Sequence, residues 1–386
     1  MSCILAQATP AEKRASAASR LPRIYTYDLP ARSPGGVLRD GPRCEDMRLG
    51  NSTEQYHRCL FGPTLEFAGL QIRNIDQFAA GRVFFAHMQE YPHRTDDPAK
   101  ADLFYIPMSR SDFLLAQSSC PKPDWLLSKL PHLNTSTASR HILLNPRLAW
   151  HFDVCRETFN AQSGLLARVT KLGIEDRHVG GQNWRAPKAV NLHSYPYPSM
   201  KSGAPWRDLP TYHARPNLIS CMWGTHGPGA TLRTRLRAQC EQDQKCEFVQ
   251  PPESKYFTPE QIVGARLNST FCIEPAGDTT SRKGIVDAMS FGCIPVIFPP
   301  MDKLWLWHVG GDWSAFAVVL DTPRNRSAVP GIFDTLARIP PEVVSRKRER
   351  LAVVSKRLAL GLPGELPKDH DDWLTTILKA VFVGEG

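Results

Sequence analysis

The sequence predicts an α/β protein with two domains, each built around a parallel β-sheet, and three observations support this. The chain has 386 residues, which at about 150 residues per domain is enough for two hydrophobic cores. Short runs typical of β-strands alternate with helical patterns, as they do in parallel sheets. Residues 193–216 are dense in Pro, Tyr, Trp and Gly, which marks them as the best position for a junction between the domains.

The first domain is expected over residues 22–212. Apolar residues recur three and four positions apart between Asn74 and Tyr91, which predicts an amphipathic helix. Strands are predicted at 23–27, 101–107, 141–144 and 189–192. The preceding residues 1–21 are polar and rich in alanine, which is typical of a disordered tail or the remnant of a stem.

The second domain is predicted over residues 213–333. Strands are expected at 217–223, 269–273 and 293–298, and helices at 230–239 and 281–291. Pro295 has no backbone N–H to donate, so we expect its strand at a sheet edge or at a bulge. Residues 334–386 are predicted to form a helical segment, which contains the basic run RKRER at 346–350.

The composition is that of an ordinary globular protein with a surplus of positive charge. Hydrophobic residues make up 42% of the chain, which excludes a largely disordered protein, and the net charge is +9. This charge favours anionic partners without choosing among nucleic acid, membrane, acidic polymer and nucleotide phosphate. Nucleic acid is the least favoured of these partners, because no helix-turn-helix, zinc-finger or RNA-reading aromatic motif is present.

Ten cysteines and four N-x-S/T sequons mildly favour a protein of the secretory pathway; the sequons are at Asn51, Asn134, Asn268 and Asn325. Cys44 with Cys59, and Cys240 with Cys246, are close enough in sequence to form disulfides, although buried free thiols are the alternative. No cysteines have zinc-ligand spacing, so we expect no structural zinc site. The first residues contain no recognisable signal peptide or membrane anchor, so we expect either a protein that is not secreted or a true N-terminus upstream.

The stretch Ser269–Phe298 is typical of a βαβ unit with an anion site at the start of its helix. Thr279–Ser281 lie at that predicted start, where hydroxyls and backbone N–H groups can bind phosphate. Arg282 and Lys283 add positive charge, and Asp287 lies one turn further on, in position to accept hydrogen bonds from a ribose. The alternative is that the hydroxyls only cap the helix and Lys283 pairs with Asp287, with nothing bound.

A second glycine-rich turn, residues 224–229, follows the predicted strand 217–223 and precedes a helix with three arginines. Arg233 is nearest the start of that helix, so it is the best phosphate ligand of the three. His226 in this turn and His193 at the junction flank the predicted cleft. They are our candidate general bases, although a lone histidine is more often structural.

Several enzyme classes lose support from the motifs. Gly277 is the single glycine of its loop, whereas dinucleotide-binding folds need three and nucleoside triphosphatases need a G-x-x-x-x-G-K-S/T pattern. The nucleophile elbow of serine hydrolases and the H-E-x-x-H motif of zinc proteases are also absent from the sequence.

Seven segments in the same order carry a resemblance to a known family: RIYTYDLP (23–30), NIDQFAAGRVFFAHM (74–88), DDPAKADLFYIPM (96–108), SRHILLNPRLAWHF (139–152), SYPYPS (194–199), CIEPAGDTTSRKGIVDAMSFGCIPVIF (272–298) and LWLWHVGGDWSAFAV (304–318). They resemble the exostosin-like glycosyltransferases (glycosyltransferase family 47), and within them the plant xyloglucan galactosyltransferase group. The resemblance covers roughly residues 22–355, and the segment at 272–298 matches best.

The resemblance implies a GT-B fold, in which two Rossmann-like domains face each other across a cleft. It implies the transfer of a sugar from a UDP-sugar to a hydroxyl of a cell-wall polysaccharide or glycoprotein glycan, with inversion and with no metal ion or other cofactor. Galactose is the first candidate for that sugar. The C-terminal domain would bind the donor and the N-terminal domain the acceptor. With the spacing argument, the expected donor-binding residues are Arg233, Glu274, Gly277, Asp278, Ser281, Arg282 and Asp287.

The resemblance also implies a type II membrane protein of the Golgi lumen and a homodimer or a heterodimer with another glycosyltransferase. The chain departs from the group pattern, however. Ser139–His141 and His151 lack the acid that the group has at each place, Glu274 replaces glutamine, and Lys283 and Gly284 replace arginine and serine. The alternatives are therefore a non-catalytic member that binds glycan or a partner transferase and, third, a binder of acidic polymers.

Overall fold

The computed structural model describes residues 20–29, 64–73, 75, 77–109, 120–146, 155–159, 161–175, 192–198, 215–224, 229–250, 257–321, 331–360 and 371–383. These residues form two α/β units, each with a parallel five-stranded sheet, together with a separate two-stranded hairpin. The predicted α/β class with two parallel sheets is confirmed.

The strands are β1 (Ile24–Thr26), β2 (Thr64–Phe67), β3 (Leu70–Arg73), β4 (Leu103–Ser109), β5 (His141–Asn145), β6 (Thr170–Gly173), β7 (Leu192–Ser194), β8 (Asn217–Cys221), β9 (Cys246–Phe248), β10 (Ser269–Ile273), β11 (Ile294–Ile297) and β12 (Val318–Val319). The α-helices are α1 (Ala80–Gln89), α2 (Pro123–Ser128), α3 (Arg156–Phe159), α4 (Gly164–Arg168), α5 (Ala230–Cys240), α6 (Pro259–Asn268), α7 (Lys283–Ser290), α8 (Leu306–Val309), α9 (Ile332–Ala337), α10 (Pro341–Lys356) and α11 (Trp373–Val383). Short 3-10 turns occur at 98–100, 138–140, 301–303 and 313–315.

The first sheet has the order β1-β4-β5-β6-β7, and neighbouring strands run parallel. Both of its faces are covered, so its strands are largely apolar. Phe104 and Ile106 of β4 pack with residues of helices α2, α3 and α4, while Leu103 and Tyr105 of the same strand belong to the larger core on the other face. The alternation of side chains along the strand produces this division.

The second sheet has the order β12-β11-β10-β8-β9, again with parallel neighbours. Numbered within the unit, this is the order 2-1-3-4-5 of doubly wound folds. The direction of winding reverses between β8 and β10, and ligands of such folds bind outside the carboxyl ends of the strands at this switch point. The topology therefore directs attention to the loops that follow these two strands.

Several predicted elements differ from the observed ones at their ends. The first helix begins at Ala80 rather than Asn74, and the helix of the predicted anion site begins at Lys283 rather than Ser281. The predicted junction at 193–216 begins inside a strand, because β7 extends to Ser194 and the Tyr-Pro pairs that disfavour helix are equally compatible with extended chain. Of the remaining junction, 199–214 lie outside the described residues.

The strand that contains Pro295 is neither at an edge nor at a bulge, contrary to the prediction, because β11 lies between β10 and β12. The backbone nitrogen of Glu274 donates to Val296 O, and that of Leu320 donates to Ile297 O. Successive peptide groups thus face alternate neighbours, and Pro295 faces β12. Pairing with β12 begins only at Val296, so the missing N–H of Pro295 leaves no ladder bond unmade.

The C-terminal helices pack on both units. Helix α10 packs on the second unit, where Arg348 Nη2 donates to Thr270 Oγ1 (3.2 Å) and Lys347 Nζ donates to Ala317 O (2.9 Å). Part of the basic run at 346–350 is therefore structural. Helix α11 reaches the first unit, because Trp373 Nε1 donates to Pro196 O (2.9 Å). One hydrophobic core runs continuously from the first unit through the second to these helices.

Three disulfides lie within the described residues: Cys120–Cys155, Cys240–Cys246 and Cys272–Cys293. Cys240 with Cys246 was one of the two candidate pairs, and it forms a disulfide rather than two free thiols, whereas Cys44 and Cys59 lie outside the described residues. Among the helices of the described ranges, none combines the length and the apolar character that a membrane span requires.

Candidate functional site

The two loops that were predicted to bind phosphate meet at the switch point of the second sheet. The register pairs Cys221 with Ile273, so β8 and β10 end side by side. Gly229, just before α5, packs against the loop after β10, and a Cβ at Gly229 would overlap the carbonyl oxygen of Ala276. The described part of this site thus joins the start of α5 to residues 274–282.

Two arginines from different elements lie together at this place. Arg233 of α5 is 4% exposed, and burial followed by the charge of Arg282 lowers the pKa of its guanidinium, which Asp278 opposes. Burial lowers the pKa of Arg282 as well, while Glu274 raises it. Two like charges that are partly removed from water and face one loop are a suitable receptor for a multiply charged anion.

Gly277 and Asp278 belong to the loop that these arginines face. Arg282 Nη1 donates to Pro275 O (3.3 Å) and lies 3.3 Å from the position that a Cβ on Gly277 would occupy. The absence of a side chain at 277 therefore lets the guanidinium lie directly against the loop backbone. Asp278 interacts electrostatically with both Arg233 and Arg282.

Glu274 lies beneath this surface rather than on it. Its side chain is fully buried and forms an ion pair with the equally buried Arg266 of α6. Burial raises the pKa of Glu274, and the charge of Arg266 opposes that rise. The position of Glu274 is that of a support for the loop and for Arg282, one layer below the place where a ligand would bind.

Ser281 does not lie in the first turn of a helix, as the spacing predicted, because the extended backbone of Arg282 separates it from α7. Its hydroxyl instead donates to Glu175 Oε1 of the first unit (2.8 Å) and lies 3.3 Å from the Tyr197 hydroxyl. Ser281 is thus a point at which the loop at 274–282 contacts the other unit.

Asp287 pairs with Lys283, as expected if the start of the helix binds no ligand. Both of its carboxylate oxygens accept hydrogen bonds from Lys283 Nζ, at 2.7 and 2.9 Å, and Asp287 is 3% exposed. A ribose hydroxyl would therefore have to compete with Lys283 for this carboxylate.

Of the two candidate general bases, His193 and His226, the structure describes only His193. His226 lies outside the described residues. His193 is a β7 residue paired with Leu172 and is 8% exposed. Across the unit boundary it lies near His308 of α8; burial, with a further contribution from His193, lowers the pKa of His308 to about 3. The described contacts thus place His193 beside a buried histidine of the other unit.

Sequence reasoning missed two residues at this site, Glu175 and Tyr197. Glu175 follows β6, a strand that the sequence did not predict, and Tyr197 is a buried residue of the Tyr-Pro segment after β7. A signal for Glu175 was available: the segment TKLGIED combines a short strand-like run with acids immediately after it.

The described side chains offer one cluster with the spacing of metal ligands, formed by Cys221, Cys240 and Cys246. Cys240 and Cys246 are joined in a disulfide, so they do not provide thiolate ligands. The expectation that the enzyme needs no metal stays a prediction.

Comparison with known proteins assigns the chain to a family. Residues 18–332 match the Exostosin GT47 domain, which is most of the chain. The chain belongs to the exostosin GT47 family. This confirms the resemblance, and with it the class of enzyme: the protein is a glycosyltransferase. Its two Rossmann-like units, which contact each other through Glu175 after β6 and Ser281 before α7, have the GT-B arrangement that the resemblance implied.

Relatives of this GT47 protein include plant enzymes. Probable xyloglucan galactosyltransferase GT17 of Arabidopsis thaliana is 26% identical over 379 residues, which cover 93% of this chain and 82% of that protein. Xyloglucan galactosyltransferase MUR3 of the same plant is 24% identical; the match covers 93% of this chain and 61% of that protein. Xyloglucan-specific galacturonosyltransferase 1, also of Arabidopsis thaliana, is 26% identical; the match covers 77% of this chain and 47% of that protein.

A solved glycosyltransferase structure from Rickettsia africae ESF-5 aligns with 80% of this chain and 95% of its own, at 9% identity and a TM-score of 0.39. The architecture of the GT47 protein is established by its own strand order rather than by this distant likeness.

Proposed function

We propose that this GT47 protein transfers a sugar from a UDP-sugar to a hydroxyl of a cell-wall polysaccharide or glycoprotein glycan, with inversion at the anomeric carbon. Galactose is the first candidate for that sugar. The observation that carries the proposal is the convergence of Arg233 and Arg282 at the switch point between β8 and β10. A nucleoside diphosphate has the charge that this convergence would neutralise, and ligands of doubly wound sheets bind at this place.

The departure of UDP is the step that these residues would assist. As the bond from the anomeric carbon to the β-phosphate breaks, negative charge accumulates on the phosphate oxygen. Arg233, Arg282 and the N-terminal end of α7 supply fixed positive charge or dipoles for it. Since these groups can stabilise the leaving group without a cation, the proposal includes a reaction that does not require a metal.

The names of the relatives guide the choice of donor and acceptor. Two of them are called xyloglucan galactosyltransferases and a third a xyloglucan-specific galacturonosyltransferase. Xyloglucan oligosaccharides are therefore the first acceptors to test, UDP-galactose is the first donor, and UDP-galacturonate is the second. The acceptor would approach from the first unit, opposite the loop at 274–282.

A donor screen tests the proposal. Purified protein is offered UDP-galactose, UDP-galacturonate, UDP-glucuronate, UDP-xylose and UDP-arabinose with xyloglucan oligosaccharides, and UDP release is measured with and without a chelator. We expect product to form both with and without the chelator. UDP affinity without turnover on any donor would favour the non-catalytic alternative. Absence of both UDP binding by calorimetry and donor hydrolysis would refute the proposal.

The proposed location is the Golgi lumen. Three disulfides are typical of an oxidising compartment, and Asn134 of the sequon Asn134-Thr135-Ser136 is exposed. We expect an N-glycan at Asn134 in protein from a secretory host. Endoglycosidase treatment should then shift the electrophoretic mobility of the wild type, and N134Q should show a smaller shift. Identical mobility of the two proteins before and after treatment would contradict this placement.

A further inference from the structure

The geometry points to Glu175 as the general base of the transfer, an inference that rests on the proposed function. Glu175 lies two residues beyond the end of β6, at the carboxyl edge of the first sheet, and is 5% exposed. The preceding residue is fastened to the second unit, because Trp305 Nε1 donates to Ile174 O (3.0 Å). The backbone that presents Glu175 is thus held against the donor-binding unit.

The carboxylate of Glu175 lies within hydrogen-bond distance of the donor loop. Its Oε1 accepts from Ser281 Oγ at 2.8 Å, and Ser281 immediately precedes Arg282. A group that contacts Ser281 from the first unit faces, across the boundary between the units, the loop at which a diphosphate would bind. The anomeric carbon of a UDP-sugar is attached to that diphosphate, so the carboxylate lies in the region where the acceptor must attack.

The other described carboxylates near the loop at 274–282 lie on the donor side, in the second unit. Glu274 is paired with Arg266 below the loop, and Asp287 is held by Lys283. Asp278 belongs to the loop itself and interacts with the two arginines. Glu175 brings a carboxylate from the opposite unit. An inverting transfer needs its base on the side of the sugar away from the departing diphosphate.

The step balances without a further reactant. Glu175 takes the proton of the acceptor hydroxyl while that oxygen forms a bond to the anomeric carbon. The bond from this carbon to the β-phosphate oxygen breaks, its electron pair remains on UDP, and the proton passes from Glu175 to water afterwards. General-base assistance of this kind contributes roughly 10²- to 10⁴-fold to the rate.

A structural role for Glu175 would be the competing explanation, since its hydrogen bond to Ser281 also joins the units. E175Q separates the two roles, because glutamine keeps the size and can still accept through Oε1 but cannot take a proton. E175D keeps the proton acceptor on a shorter side chain. E157Q, which changes an exposed glutamate in α3 of the same unit, is the matched control.

The experiment measures transfer rate against pH, the Kd for UDP and the melting temperature of all four proteins. We expect E175Q to lose at least about 100-fold in rate and the acidic limb of its pH profile, with UDP Kd and melting temperature near those of the wild type. E175D should recover part of the rate, and E157Q should match the wild type.

Three outcomes would overturn the assignment. If E175Q keeps more than about a hundredth of the rate while the wild type is active, Glu175 is not the base and the proposed function stands. If E175Q loses UDP affinity and melts well below the wild type, Glu175 is structural. If the wild type neither binds UDP nor transfers any sugar, the proposed function fails, and the assignment of Glu175 fails with it.

Discussion

The Cα of Gly284 in α7 lies directly against the buried carboxylate of Glu274: a Cβ at 284 would be 2.5 Å from Oε2 of Glu274. Real Cβ atoms do not approach an oxygen this closely. Both residues depart from the plant group that the sequence resembles, in which glutamine and serine take their places. Two departures that are ten positions apart in sequence are therefore neighbours in the fold, on the underside of the candidate donor loop.

Gly284→Ala is expected to destabilise the protein by about 1–3 kcal/mol, because the ion pair with Arg266 keeps Glu274 from moving aside. Gly264→Ala is the matched control, since Gly264 is also a helix residue but its Cβ would meet only the Phe67 ring at 3.5 Å. That substitution should be neutral or stabilising by up to about 1 kcal/mol. Urea denaturation measures both. Equal effects of the two substitutions would contradict the steric argument.

Arg282→Ala and Arg233→Ala are each expected to weaken UDP binding by about 10- to 100-fold, because a charged hydrogen bond to phosphate is worth about 1.5–3 kcal/mol. Arg237→Ala is the control: it lies one turn beyond Arg233 on α5 but pairs with Glu241 at the surface (2.7 Å). Calorimetry with UDP distinguishes them. If Arg233→Ala and Arg237→Ala lower the affinity for UDP equally, Arg233 is not a ligand of the site.

The central part of the second unit was predictable because its strands are continuous apolar runs, as parallel buried strands require. Strand β10 has the predicted ends, Ser269 and Ile273. The start of α7 was misplaced because serine and threonine are usual cap residues, whereas the cap position is occupied by Arg282. The hydroxyl of Ser281 is used for a contact between the units, which no local pattern reveals.

Strand β6, and with it Glu175, escaped prediction because of Lys171. This residue interrupts the apolar pattern of the strand, yet its side chain is fully buried and its Nζ donates to Leu166 O (2.7 Å) and Ala167 O (3.0 Å) near the end of α4. A lysine whose charge is satisfied by helix carbonyls looks polar in sequence and behaves as a core residue. The pairing of Glu175 with Ser281 joins residues 106 positions apart, so it depends on how the two units pack.

Stability is expected to fall between pH 7 and pH 5 through His141. Burial lowers the pKa of this histidine to about 4 in the folded state, against about 6.5 when unfolded. Its Nδ1 must donate to Thr137 O (2.9 Å), which leaves Nε2 to accept from the Tyr27 hydroxyl (2.8 Å). The unfolded chain therefore binds more protons between these pKa values, and stability decreases as the pH falls through that window.

The expected loss from His141 between pH 7 and pH 5 is about 2 kcal/mol. His141→Gln should flatten this dependence, even though it lowers stability at pH 7. His93→Gln, which changes an exposed histidine of the same unit, is the matched control against which the slope of His141→Gln is compared. Urea unfolding at the two pH values measures the difference, and an unaltered slope in His141→Gln would contradict the assignment.

The Cys272–Cys293 disulfide encloses the loop at 274–282 and α7, with a sequence separation of 21. Cys272→Ala with Cys293→Ala is expected to cost about 3 kcal/mol, because the unfolded chain regains the entropy that the closed loop removes. Cys221→Ala is the control, since it removes a buried sulfur from the neighbouring strand without opening a disulfide. Similar midpoints of urea unfolding for the double variant and the control would show that the cross-link contributes little.

Trp373 of α11 fastens the C-terminal helix to the first unit. The indole is fully buried, and its Nε1 donates to Pro196 O (2.9 Å). Its ring packs edge-on against that of Tyr195, with the two ring centroids 5.4 Å apart. Trp373→Ala is expected to destabilise the protein by about 3–5 kcal/mol through the cavity it leaves. Trp373→Phe keeps an aromatic ring but loses the hydrogen bond to Pro196 O, so a smaller loss of about 1–3 kcal/mol is expected.

Leu306→Ala is the matched control for Trp373, because Leu306 in α8 is 41% exposed and its truncation should change stability by no more than about 0.5 kcal/mol. Urea unfolding followed by fluorescence and by circular dichroism measures all three variants. Because Trp373 lies outside the donor loop, each variant should bind UDP with wild-type affinity under conditions in which it is folded. A Trp373→Ala protein as stable as Leu306→Ala would show that α11 does not hold the first unit in place.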